Sequence, residues 1–468
     1  MSAVGTATGQ LREHVATIVV AALSTLFAVT LILGTGILTA ALDPALIAES
    51  GTFRLVLLMV SVIFIIIALY VGAIVTANTF ATVIAGRTRI IALLRLVGAT
   101  ARSVRSRVAA EGLIMGALGA VVGWGLAEAL AFGVTRLGPA LGWLPEGREY
   151  PLFDPLSFIA VAVVALTTWA AAWVGSRRVA AVSPIAATGA VVEPRPEAAR
   201  GRSGRSVWAV ILIVSGCALL ALGLVLGFLT PLGLFVAFLG GLASFTGIAL
   251  GAHLIMPPVL RLAGRIVGRG PTGALAAANA VRYPERSARS TIGLVIGVTL
   301  VTLFAVALDS YRSMTLLAFE LDPAMARALD QTLSITTGIF TGLVGFSAVI
   351  AAVGLVNTLS LGVLQRTREL GLLRTLGFTG AQVRRMIIAE SAQMTIAALG
   401  LGLVLGIGYG WVAAQSLLGS QVGLAPPTVP WPVLLGVVVF GAVLAVGAAA
   451  VPARRAIRLS PVAALAAD

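Results

Sequence analysis

Two stretches decide how this chain is built: GRTRIIALLRLVGATARSVRSRVAAE at 86–111 and QRTRELGLLRTLGFTGAQVRRMIIAE at 365–390. They align without a gap at a constant offset of 279 residues, 86 with 365 and 111 with 390. Identical pairs include Arg87/Arg366, Thr88/Thr367, Arg89/Arg368, Leu93/Leu372, Leu94/Leu373, Arg95/Arg374, Gly98/Gly377, Thr100/Thr379 and Glu111/Glu390, with Asn78/Asn357 just upstream. A second match, RRVAAVSPIAATG from Arg177 and RRAIRLSPVAALA from Arg454, sets Ser183-Pro184 opposite Ser460-Pro461. Two matches in the same order read as an internal repeat.

Within each stretch the apolar residues recur at helical spacing. They are Ile90, Leu93, Leu94 and Val97 in the first copy, and Leu370, Leu372, Leu373 and Leu376 in the second. Arg occupies the other face, and Gly98 or Gly377 is expected to end the short helix with a left-handed cap. Such a helix has two readings, an interfacial anchor on anionic lipid or a docking element for a cytoplasmic partner. Its presence at two corresponding positions favours a twofold-symmetric partner.

Outside these stretches the chain is overwhelmingly apolar. Of 468 residues 59% are apolar and 11% charged, against about 25% charged in an average soluble domain, and the mean hydropathy is +1.05. All 32 basic residues are Arg, and the formal charge is +14. The absence of Lys excludes a Walker A loop, a Schiff-base lysine and a lysine general base from these residues. One cysteine (Cys217) and two histidines (His14, His253) exclude an internal disulfide and argue against a His/Cys metal cluster. The fold expected is an all-α polytopic membrane protein. The Arg-rich, Ala/Gly/Val-rich composition points to a GC-rich bacterial genome.

About 20 apolar residues cross a bilayer, and ten runs qualify: 15–38, 55–81, 108–134, 158–174, 207–228, 232–255, 291–308, 335–364, 386–418 and 433–451. Pro231 marks a tight turn between the fifth and sixth. The first run is too long for a signal-peptide core and is expected to be retained. With ten spans both termini share a side, and that side carries 27 Arg against five (Arg54, Arg136, Arg148, Arg312 and Arg327) on the other. The bias places both termini in the cytoplasm. Charge is thereby explained as topology, and nucleic acid is not an implied partner.

The expected organisation is a four-helix unit at 1–192, a cytoplasmic linker at 193–206, a central helix pair at 207–256, a cytoplasmic connector at 257–289, and a second four-helix unit at 290–468. Four spans return the chain to its starting side, so the repeat is a parallel one.

The pattern R-x-R-E-x-G-L-L-R-T-L-G-x-T at 366–379 resembles the signature of the FtsX-like permease family, the membrane subunits of MacB-type (type VII) ABC transporters. Glu390, the Gly-rich third span and the closing ARR-x-x-x-x-SP-x-x-AL at 453–465 are similar too. The resemblance implies two FtsX-like repeats around a central helix pair. It also implies that the loop between the second and third spans is a coupling helix on a separate dimeric ATPase. The implied coupling residues are Arg87, Arg89, Leu93, Leu94, Arg95 and Gly98, with Arg366, Arg368, Glu369, Leu372, Leu373, Arg374 and Gly377 in the second copy. ATP and Mg would be held by that partner, with no cofactor, metal or catalytic residue in this chain. A departure from the family is the shortness of 39–54 and 309–333, where many members carry a large extracytoplasmic domain.

Glu111 and Glu390 open the third span of each copy, where a carboxylate suits a helix N-terminus or a nearby Arg. Together with Asn78 and Asn357 they are also candidates for transmitting movement. The glycines at 400, 402, 406, 408 and 410 suit close helix packing. The leading expectation is a bacterial cytoplasmic-membrane permease for export or extraction of an amphipathic or hydrophobic substrate, a lipid, peptide or drug. The alternative is a non-transporting mechanotransmission permease that controls an envelope enzyme or a signalling kinase. A third class, the ion-coupled carrier, is disfavoured because no carboxylate pair sits at the membrane midplane.

Overall fold

The computed structural model describes residues 3–41, scattered positions within 62–80, and residues 88–141, 144–177, 203–267, 271–282, 284–318 and 374–443. Every regular element among them is helical: α1 Ala3–Ala41, α2 Thr88–Leu96, α3 Ala101–Leu137, α4 Leu156–Gly175, α5 Ser203–Gly227, α6 Gly233–Leu250, α7 Ala252–Val267, α8 Pro271–Arg282, α9 Pro284–Ala318, α10 Gly380–Val422 and the shorter α11 Trp431–Val443. They fall into two compact units, Met1–Val191 and Val192–Asp468.

Seven helices among the described residues are long and apolar enough to span a bilayer, so the protein is an all-α, multi-pass membrane protein. The expectation of about ten spans in two four-helix repeats with a separate central pair is corrected by this arrangement. The expected 55–81 span is described only at scattered helical positions, and 335–364 lies outside the described residues. The expected 433–451 span is described only as far as Val443, in the helix Trp431–Val443, and its remainder lies outside the described residues. The central pair, moreover, packs within the second unit rather than standing apart.

Helix boundaries also differ from the apolar runs. Helix α3 starts seven residues before its run, at Ala101, and α10 starts six before, at Gly380. Arg is a good helix former and Thr a good N-cap, so the Arg-rich leaders wind as helix although they are too polar to enter lipid. The last part of the linker expected at 193–206 is likewise helical from Ser203, and the connector folds into α7, α8 and the start of α9.

In the first unit α3 packs on α1 and α4. Gly119 and Gly123 of α3 lie against the backbone of Ile18–Ala22 in α1, while Gly116 meets Thr168 of α4. Asp154-Pro155 starts α4, the Asp154 carboxylate accepting the Leu156 N–H at 2.9 Å.

In the second unit α10 is the axis, packed chiefly on α9 and also on α5, α6, α7 and α8. Gly402, Gly406 and Gly410, four residues apart, form one face against Val298–Ala307 of α9. A Cβ at Gly400 or Gly408 would meet nothing within 4 Å, so only part of the expected glycine run serves packing. Helices α5 and α6 are joined by the tight turn at Thr230-Pro231 that the sequence predicts, with Gly216 close to Ser244 and Gly223 close to Ala237. The pair docks on α10 through Gly227 beside Ser416 and a 2.9 Å hydrogen bond between the Ser244 and Tyr409 hydroxyls.

Candidate functional site

The stretch 88–111 builds a short helix, a glycine turn and a long helix. Helix α2 ends in a Schellman motif: the Ala99 N–H donates to the Leu94 carbonyl at 2.9 Å and the Gly98 N–H to the Arg95 carbonyl at 3.1 Å. Gly98 sits at φ +100, which a residue with a Cβ rarely adopts. Two residues on, Thr100 caps α3, its hydroxyl accepting the Ser103 N–H at 3.1 Å.

The described part of the second copy has the same geometry. The Gly377 N–H donates to the Arg374 carbonyl at 3.2 Å, Gly377 sits at φ +96, and Thr379 caps α10. Here the cap is reciprocal, with the Gln382 side chain returning a bond to the Thr379 N–H. The left-handed glycine ends expected from the sequence are thus present in both copies. The caps at Thr100 and Thr379 were visible only as a matched pair, although T-x-x-Q at Thr379–Gln382 is a capping-box pattern.

The apolar positions of α2 do not form one buried stripe. Ile91 and Ala92 are buried, Ile91 against Val104 and Val108 of α3. Leu93, Leu94 and Val97 are exposed, at 49%, 43% and 89%. Leu376 after the second helix is also exposed. Arg95 and Arg374 are half-exposed. The helix therefore folds back on α3 through Ile91 and presents leucine and valine outward beside arginine.

Of the other expected coupling residues, Arg89 is in α2 with its side chain outside the described set. Arg87, Arg366, Arg368, Glu369, Leu372 and Leu373 lie outside the described residues, as do Asn78 and Asn357. The two equivalent glutamates have different surroundings. Glu111 is partly exposed and 3.8 Å from Arg107, one turn back on α3. Glu390 is buried, and Met386 stands where an Arg would be needed to repeat that pair. Arg105, not singled out beforehand, ties α3 to α4. Its guanidinium donates to the Trp173 carbonyl at 3.3 Å and stands 4.4 Å from the centre of the Trp173 ring. Among the described residues no group of three His, Cys, Asp or Glu could hold a metal ion.

The sequence profile of the FtsX-like permease C-terminal family matches residues 62–184 and again 341–461, together more than half of the chain. The chain belongs to the FtsX-like permease family. The starts of the two matched blocks stand at the same offset as the repeated stretches. Among its relatives is the ABC transporter permease YknZ of Bacillus subtilis, 31% identical over 158 residues, 34% of this chain and 36% of YknZ. The macrolide export ATP-binding/permease protein MacB of Hahella chejuensis is 23% identical over 143 residues, 31% of this chain and 21% of MacB. The pyoverdine export ATP-binding/permease protein PvdT of Pseudomonas savastanoi is 29% identical over 142 residues, 30% of this chain and 21% of PvdT. The matches thus span about a third or less of these relatives' lengths. The chain is thus an FtsX-like permease, and its 468 residues include no Lys with which to build a Walker A loop.

Proposed function

We propose that this FtsX-like permease couples ATP hydrolysis by a separate cytoplasmic ABC ATPase dimer to export or membrane extraction of an amphipathic or hydrophobic substrate. The segments around 86–98 and 365–377 are the docking elements, one for each ATPase subunit. Arg95, Arg374 and the Leu93/Leu94 and Leu372/Leu373 pairs are the contact residues. Docking at the turn transmits displacement into α3 and α10, whose third turns hold Glu111 and Glu390. Both termini and both docking segments lie on the Arg-rich, cytoplasmic side.

The observation that carries this reading is the outward display of Leu93, Leu94 and Val97 on a helix whose other face is already packed through Ile91. An aliphatic surface beside arginine, on a rigid capped turn, suits a groove on a protein better than bulk water. Relatives named for macrolide and pyoverdine export support the outward direction. The short 39–54 and 309–333 stretches favour substrates that enter from the membrane.

The test is co-purification of the permease with a cytoplasmic ABC ATPase of the same genome, co-expressed with it. Leu93→Gln with Leu94→Gln should remove most of the bound ATPase while the permease stays monodisperse and melts as before. Full complex formation by that variant, and by Arg95→Ala with Arg374→Ala, overturns the docking assignment. Transport is tested separately, by ATP-dependent movement of a labelled amphiphile in vesicles holding both proteins.

A further inference from the structure

Helix α7 follows α6 after a single residue, Gly251, and packs on α8, α9 and α10. Its sequence, AHLIMPPVLRLAGRIV, holds two Arg and no acidic residue. Three sectors follow one another around it. Ala252, Met256, Leu260, Ala263 and Gly264 are buried, and the Gln393 amide of α10 donates to the Leu260 carbonyl at 2.8 Å. Arg261 and Arg265, one turn apart, are exposed. Leu262 and Ile266, one turn apart, form an exposed apolar flank, at 60% and 67%. A helix with one protein face, one apolar flank and one arginine edge is shaped for the boundary between hydrocarbon and water.

Its first turn is fixed at that depth by α5. The Arg205 Nε–H donates to the Leu250 carbonyl at 3.1 Å, and the Ser206 hydroxyl is 3.1 Å from His253 Nε2. Trp208, one turn further along α5, is exposed where that helix begins its apolar span, the usual place of an interfacial tryptophan. The connector at 257–289 holds six Arg, Arg261 and Arg265 among them, against a single Glu285, so the surrounding charge is complementary to an anionic surface.

We propose that α7 is a binding surface for anionic phospholipid, Arg261 and Arg265 taking headgroup phosphates while Leu262 and Ile266 lie among the acyl chains. The proposal rests on the membrane-spanning fold and is independent of the ATPase partner. A helix that meets both the central pair and the glycine-faced α9–α10 pair would then sense the charge of the leaflet beside it.

The test uses the full chain reconstituted in phosphatidylcholine vesicles, with or without one part in three phosphatidylglycerol. A fluorophore on Leu262→Cys, in a Cys217→Ser background, should be quenched by brominated acyl chains and shielded from aqueous iodide. Arg261→Gln with Arg265→Gln should lower the preference for phosphatidylglycerol over phosphatidylcholine, read by native mass spectrometry, by about thirtyfold for two surface arginines. Arg261→Lys with Arg265→Lys should retain most of it. An iodide-accessible label, or a folded double Gln variant that keeps the same lipid preference, overturns the proposal. So does shielding that appears only when the ATPase is added, since the face then belongs to a protein.

Discussion

Thr379 and Gln382 cap each other. The Thr379 hydroxyl accepts the Gln382 backbone N–H at 3.3 Å, and the Gln382 side-chain oxygen accepts the Thr379 backbone N–H at 2.8 Å. The long helix α10 thus starts from a closed pair of bonds rather than from frayed amides. Thr379→Ala should cost about 1 kcal/mol of local stability. Hydrogen exchange at 380–384 should accelerate accordingly, while exchange in the middle of α10 stays unchanged.

Gly377 and Gly98 stand at φ +96 and +100, and a Cβ at either would have no neighbour within 4 Å. Alanine there meets no steric neighbour, so its cost is conformational and about 1–2 kcal/mol. Gly377→Ala should loosen the turn, seen as faster exchange at 374–379, and Gly377→Asn should do so less. Gly125→Ala, in open space within α3, should leave exchange there unaffected.

The glycine face of α10 separates two kinds of substitution. Gly406 presses on Thr302 of α9, whereas Gly408 faces open space. Gly406→Val should destabilise the second unit by about 1–3 kcal/mol through overpacking. Gly408→Val should leave the melting temperature in detergent nearly unchanged.

At its other end α10 is held by Gln415, whose amide donates to the Gly423 carbonyl while its oxygen accepts the Ala425 N–H at 3.1 Å. The Trp411 indole donates to the Ala425 carbonyl at 2.8 Å. Gln415→Leu leaves a buried N–H without its acceptor, an expected loss of about 1–3 kcal/mol. Trp411→Phe in the same background should add to it, and thermal unfolding of the four variants of the cycle measures the coupling.

The sequence made the glycine-ended turns legible because only a residue without a Cβ is comfortable at the φ of Gly98 and Gly377. It made α5 and α6 legible because Pro231 interrupts two apolar runs. The beginnings of α3 and α10 were not legible. Apolar-run reading measures what lipid accepts, and the arginines at 102–107 and 384–385 wind as helix outside lipid. The packing of α2 was legible only in part. Helical spacing shows that Leu93 and Leu94 share a side, but not that Ile91 is the residue that meets α3. Nor does a glycine run name its partner, which is why Gly227 docking on Ser416, and with it the central pair's place in the second unit, emerged only from packing. The equivalence of Glu111 and Glu390 was a fact of alignment, and their neighbours at 107 and 386 set them apart.

Helix α10 runs unbroken for 43 residues without an internal proline, a rod about 65 Å long at 1.5 Å per residue. The hydrocarbon layer is about 30 Å thick, so more than half of the rod lies beyond what a perpendicular crossing requires. Pivoted at the Gly377 turn, a tilt of about 5° would swing the tip near Gly423 through about 6 Å, roughly one helical pitch. Under the proposed docking, a rod of that span would work as a lever, turning a displacement too small to break a single cap into one large enough to re-seat a neighbouring helix.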